Sequence, residues 1–130
     1  MFNHVSNVYV FVNDQERAKA FYTEKLGMEV RMEMPDTDGD HGKWITVAPH
    51  GATTEIVLMN FNPMWEHYRA IIGKVQAMQF AISNVTSLIA ELKAKGVEVV
   101  QEPNSQPWGT SAIIKDSEGN DLFLFEAASY

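Results

Sequence analysis

The sequence contains no cysteine. That excludes disulfides, thiolate metal sites and cysteine nucleophiles, and it fits a reducing compartment. No apolar run approaches the ~20 residues needed to cross a bilayer. The start, Met1-Phe2-Asn3-His4, lacks a basic stretch followed by an apolar signal region. Basic charge is scarce as well. Ten Lys and Arg stand against 17 Asp and Glu, a net charge of −7, the wrong sign for a surface that meets nucleic-acid phosphates. A cytoplasmic protein with no nucleic-acid and no membrane partner is expected. The acidic balance either suits a cationic ligand or serves only solubility.

The chain does contain a repeat. A strand-like segment, an amphipathic helix and Leu26-Gly27-Met28-Glu29-Val30 are echoed by a second strand, a second helix and Lys95-Gly96-Val97-Glu98-Val99. Gly27 and Gly96 stand 69 residues apart, about half of the 130 residues, and such a period suggests a duplicated unit. At 45% hydrophobic and 21% charged residues, the composition is that of one globular domain, 1–130, too short for two independent cores.

Val8, Val10 and Val12 alternate with Asn7, Tyr9 and Phe11, the period of a strand. Asp14 can cap a helix carrying Ala18, Phe21 and Tyr22, which Gly27 ends as a left-handed cap. Strands are predicted at 28–34, 43–48 and 55–61, with a polar loop over 36–42. Near 75–82 another strand begins. Asn84 caps a second helix, whose Val85, Leu88, Ile89 and Leu92 form an apolar stripe that Gly96 stops. Strands at 97–101, 110–115 and 121–126 complete the chain, the last two joined by Asp116-Ser117-Glu118-Gly119-Asn120, a turn tolerant of positive φ. Each half reads as strand-helix-strand-strand-strand: a first module over 1–61 and a second over 75–130. Between them, 62–74 has no counterpart and carries Pro63, Met64, Trp65, His67 and Tyr68. It is either a connector packed on the body or a lid over a cavity.

Three passages carry a family resemblance: Asn7 to Gly27, with Asp14, Phe21-Tyr22 and Leu26-Gly27; Gln79 to Gly96; and Trp108-Gly109 through Asp116 and Gly119-Asn120. In these the chain resembles the vicinal oxygen chelate superfamily, the group of glyoxalase I, bleomycin-resistance proteins and extradiol dioxygenases. The resemblance implies an α+β fold of two tandem βαβββ modules, whose open, curved mixed sheet surrounds a cavity. Metal enzymes of that group set His and Glu ligands on the first and last strands of each module. Carried across, those positions are Asn7, Val57, Gln79 and Phe123. Valine and phenylalanine cannot ligate a metal, and neutral amides are weak ligands for divalent transition metals. No metal and no cofactor are therefore expected.

The four histidines do not repair the set. His4 lies on the opposite strand face from Asn7 by parity, His41 and His50 fall in a loop and a turn, and His67 is in the connector. No pair has the spacing of a metal motif. Glu55 shares a face with Val57 and is the one candidate catalytic group, as an acid or base; alternatively it is a solvated carboxylate at a strand start.

Parity defines the concave face. If Val8, Val10, Ile56, Leu58, Phe80, Ile82, Leu122 and Leu124 pack under the helices, their alternates face the cavity. On the first module these are Asn7, Tyr9, Phe11, Val57, Met59 and Phe61, joined by Trp44 and Thr46 because Ile45 and Val47 turn inward. On the second they are Ala77, Gln79, Phe123 and Phe125, with Trp108 opening the matching strand. An aromatic and methionine-lined face with a few amides suits flat or amphipathic small molecules, although a filled core or a dimer interface would show the same composition.

Two function classes follow. The first is a binding protein resembling bleomycin-resistance members, sequestering a drug-like or aromatic compound, with Asn7, Tyr9, Trp44, Thr46, Val57, Met59, Gln79, Trp108 and Phe123 as ligand contacts. The second is a glyoxalase-like lyase or dioxygenase-type enzyme with a displaced metal or acid/base site. The resemblance also implies a homodimer, and the apolar surplus of Trp65 and seven methionines points the same way.

Overall fold

The strand predicted at the start of each half folds as the first strand of a four-stranded sheet. The computed structural model describes residues 1–35, 42–60, 69–74 and 78–128. The chain divides into two compact units, Met1–Ile72 and Gly73–Tyr130. The first contains β1 (Asn7–Val12), α1 (Gln15–Ala20), β2 (Glu29–Met34), β3 (Trp44–Ala48) and β4 (Glu55–Asn60). The second contains β5 (Met78–Ala81), α2 (Val85–Ala94), β6 (Val99–Gln106), β7 (Gly109–Lys115) and β8 (Asp121–Ala127). Their strand orders, β1-β4-β3-β2 and β5-β8-β7-β6, are the same. In each sheet one parallel pair, β1 with β4 or β5 with β8, joins an antiparallel remainder. The repeated sequence is a repeated βαβββ module.

The helix ends follow their capping residues. Asp14 accepts a hydrogen bond from the Arg17 amide at 3.0 Å, and Asn84 accepts one from the Ser87 amide at 2.9 Å, satisfying donors that a helix start leaves open. After Ala20 the first helix widens into a π turn, Phe21–Lys25. Within it the adjacent Phe21 and Tyr22 are both buried, their rings edge to face at 5.7 Å. Gly27 and Gly96 end the two helical segments with φ of 77° and 81°, the left-handed conformation that glycine adopts without a Cβ clash.

Beneath the helices, Val10, Val12, Ile45, Val47, Ile56 and Leu58 are buried with Ala18 in the first unit. Val85, Ile89, Leu92, Ile114, Leu122 and Leu124 are buried in the second. Each such valine, leucine or isoleucine contributes about 1.5–3 kcal/mol. Val8, Phe80 and Ile82, expected in this core, are half-buried.

One strand differs from expectation. The segment between 101 and 110 is not a loop: β6 continues to Gln106 and reverses through a two-residue turn, Pro107-Trp108. As an edge strand, β6 accommodates Pro103, which has no amide to donate to a neighbour. Its polar residues are not sorted by face, so alternation does not reveal it. Ser105 pairs with Thr110, their hydroxyls 3.0 Å apart. Of the predicted loop 36–42 only Gly42 is described. Phe61, Ala77, His41, His67 and the connector over 62–68 lie outside the described residues.

Candidate functional site

Strand register builds the first unit's open face. With Val10 and Leu58 under the helix, the facing row pairs Tyr9 with Val57, Val57 with Thr46, and Thr46 with Met32. In the next row Phe11 pairs with Met59 and Trp44 with Met34. The Tyr9 and Trp44 rings meet edge to face at 6.1 Å, and Tyr9 and Phe11 are tilted at 6.3 Å. Edge-to-face rings at this separation attract through their quadrupoles. Tyr9 is 41% exposed, whereas Val57 and Thr46 are buried. Asn7, Phe11, Trp44 and Met59 are half-buried.

A bulge gives this face its charge. Between Val30, paired with Val47, and Met32, paired with Thr46, β2 carries one extra residue, Arg31. A bulge turns successive side chains toward one side and reverses the parity beyond it. Glu33 accordingly reaches Lys19 of α1 at 3.1 Å, while Met32 and Met34 join the open face. Arg31 extends toward Glu55 on that face. Its Nε donates to Glu29 at 2.6 Å and its Nη2 to the Pro49 carbonyl at 3.0 Å, and its Nη1 lies 3.9 Å from Glu55 Oε2. Glu29 also meets His50 Nδ1 at 2.9 Å. Contacts with His50, and then Arg31, hold the Glu29 carboxyl below its ordinary value. Asn7 is the register partner of Glu55.

Thr46 adds a second polar feature. Its residue is 1% exposed and its hydroxyl has no hydrogen-bond partner among the described residues, a condition that costs about 1–3 kcal/mol for a buried donor.

On the second unit's open face, Gln79 pairs with Phe123, Phe123 with Ile113, and Phe125 with Ser111. Gly109 has φ of 151°, and a Cβ there would fall 2.3 Å from the Glu126 carbonyl oxygen and 2.8 Å from the Phe125 ring. Only glycine lets that ring lie so close to the β7 backbone. Trp108 is 63% exposed on the β6–β7 turn.

The predicted residues thus fall on two sheets. Asn7, Tyr9, Trp44, Thr46, Val57 and Met59 share one open face, and Gln79 and Phe123 share the other. Trp108 lies at a sheet end, on an exposed turn. Counted back from the caps Asp14 and Asn84, Tyr9 corresponds to Gln79, and Tyr9 pairs with Val57 as Gln79 pairs with Phe123. Asn7 is opposite Glu55, two residues before Val57. Alternation alone did not reveal Glu29, Arg31, Met32 and Met34, because without its bulge β2 reads as clean alternation, with Glu29, Arg31 and Glu33 on one face and Val30, Met32 and Met34 on the other. Among the described residues no three His, Asp or Glu side chains cluster as a metal site. None of the described helices is long and apolar enough to cross a membrane.

Comparison with known proteins agrees with this architecture. The protein YetH of Bacillus subtilis (strain 168), itself uncharacterized, is 32% identical over 97% of this chain and 100% of its own. The solved structure of UcmS2 superposes with a TM-score of 0.84 at 36% identity, covering 96% of this chain and 98% of that one. TnmS3, an antibiotic-binding protein from Streptomyces sp. CB03234, gives 0.83 at 33% identity, covering 98% of each. Residues 1–124 match the Glyoxalase/Bleomycin resistance protein/Dioxygenase superfamily, and with its paired βαβββ modules the chain belongs to that family.

Proposed function

We propose that this protein is a small-molecule-binding member of its family that holds a flat, aromatic, drug-like compound against the open face of the first sheet. The observation that carries the reading is the Tyr9–Trp44 edge-to-face pair beside Phe11, Met59, Met32 and Met34. Aromatic and thioether side chains form a polarizable surface for a planar ligand, and a few polar groups at its border fix orientation. The antibiotic-binding description of TnmS3 supports the same reading. Gln79, Phe123 and Trp108 are proposed as further contacts, and sequestration, without conversion, as the activity. We further propose a cytoplasmic homodimer; exposed Val30, Met32 and Met34 on the edge strand β2 support an associating surface.

Titration with a panel of planar aromatic compounds, followed by tryptophan fluorescence, tests the reading. Trp44→Ala should weaken binding roughly tenfold or more with little change in thermal unfolding, and Trp108→Ala should weaken it less. If no compound in the panel binds the wild-type protein, or if Trp44→Ala leaves every affinity unchanged, the reading fails.

A second reading, a glyoxalase-like lyase or dioxygenase with a displaced acid/base or metal site, draws support from Glu55 alone, a half-exposed carboxylate beside Asn7 and Arg31. Conversion of a bound compound, abolished in Glu55→Gln, would favour it.

A further inference from the structure

The polar border of the aromatic face has an incomplete pair. Arg31 is positioned from two sides, by Glu29 at 2.6 Å and the Pro49 carbonyl at 3.0 Å, and its third corner, Nη1, stops 3.9 Å from Glu55 Oε2. That separation is too long for a direct hydrogen bond, and an oxygen between the two groups can lie within bonding distance of both. Nη1 can only donate and an ionised carboxylate can only accept, so the atom that completes the pair must accept from one and donate to the other. A hydroxyl does both. A primary ammonium cannot accept, and a carboxylate or quinone carbonyl cannot donate.

Arg31 is held in place, and both side chains are only partly exposed, at 21% for Arg31 and 29% for Glu55. Beside Arg31 across the bulge, the Thr46 hydroxyl is buried without a partner among the described residues. A buried polar atom left open in this way suits a position that an occupant completes. The apolar rows of Tyr9, Met59 and Trp44 begin directly beyond this border.

We infer that Arg31 and Glu55 form a donor–acceptor clamp for a hydroxyl group on the edge of an aromatic ligand, selecting hydroxylated arenes over bare or alkylated ones. The inference rests on the aromatic-face reading above and specifies the ligand class that the face takes.

Naphthalene, 2-methoxynaphthalene and 2-naphthol are suitable probes, titrated into the full-length protein by calorimetry and by amide chemical-shift perturbation. All three should bind through the aromatic face, with 2-naphthol tighter than the other two by roughly tenfold, the effect of one charge-assisted hydrogen bond. Glu55→Ala should erase that advantage, bringing the 2-naphthol and naphthalene affinities to within roughly twofold of each other. Glu55→Gln, which keeps the side chain's shape and a neutral acceptor, should retain part of it and guards against a folding defect in the alanine variant. If naphthalene and 2-naphthol bind equally, or if the advantage survives in Glu55→Ala, the clamp is overturned while the aromatic face stands. If none of the three binds, the aromatic-face reading fails and the clamp fails with it.

Discussion

Gln15 holds more of the first unit together than its place on a polar helix start suggests. Its amide donates to the carbonyls of Lys43 at 2.7 Å and Leu58 at 2.8 Å, and its oxygen accepts from the Lys43 amide at 2.9 Å. One buried side chain thereby joins α1 to β4 and to the entry of β3. Gly42 lies so near that a Cβ there would meet Gln15 Oε1 at 2.6 Å. Replacing Gln15 with Leu should strand three backbone groups and destabilise the protein by roughly 2–4 kcal/mol, read as a lower urea midpoint at unchanged slope. A loss below roughly 0.5 kcal/mol would mean that water serves those groups equally well. No pattern in the sequence marks this glutamine, because its partners are 28 and 43 residues away. Asp14, by contrast, is legible as a cap because its partner is three residues on.

Among the elements, β2 shows why a sheet face can be half read. Val57, Trp44 and Tyr9 follow from alternation because their strands run without interruption. Arg31 does not, since one inserted residue changes which side chains face which way, and a single bulge is invisible where Glu29, Arg31 and Glu33 alternate with Val30, Met32 and Met34. The same bulge sends Glu33 to the helix side, where it completes a network with Lys19, Glu16 and Lys43. The ammonium of Lys43, then that of Lys19, holds Glu16 below its ordinary carboxyl value of 4.5; for Glu33 the order is Lys19, then Lys43. Because both carboxyls are lowered in the folded state, their contribution is complete above pH 4.5 and is lost as pH falls through the lowered values. The lysines are raised from 10.5, so their contribution is complete below that pH and disappears as pH rises through the raised values. All four groups are largely solvated, so the effect should be small and screened by salt. Urea midpoints should fall from pH 6 to pH 3 more steeply in the wild type than in a Glu16→Gln, Glu33→Gln variant, at low salt only. Identical acid profiles would show that the network contributes nothing.

At the scale of the whole molecule, duplication preserved the scaffold and let the faces diverge. Helix caps, glycine stops and the strand-helix-strand order recur in both halves, so the paired modules are legible from sequence. The equivalent positions have separated: Tyr9 pairs with Val57 where Gln79 pairs with Phe123. Asn7, Val57, Gln79 and Phe123, two amides and two apolar side chains, make a poor donor set for a divalent transition metal, which favours imidazole and carboxylate together. Glu55, the register partner of Asn7, is a carboxylate but lies beside the Arg31 guanidinium, whose positive charge opposes a cation there. Protein purified without chelator is therefore expected to hold less than stoichiometric transition metal by elemental analysis. Added zinc or manganese should leave its thermal unfolding unchanged, since a ligand bound only by the folded state raises stability in proportion to occupancy. One metal per chain, lost on Glu55→Ala, would overturn this expectation. It would also shift the balance from a binding protein toward an enzyme, since the residue assigned to a ligand's hydroxyl would then be holding a Lewis acid.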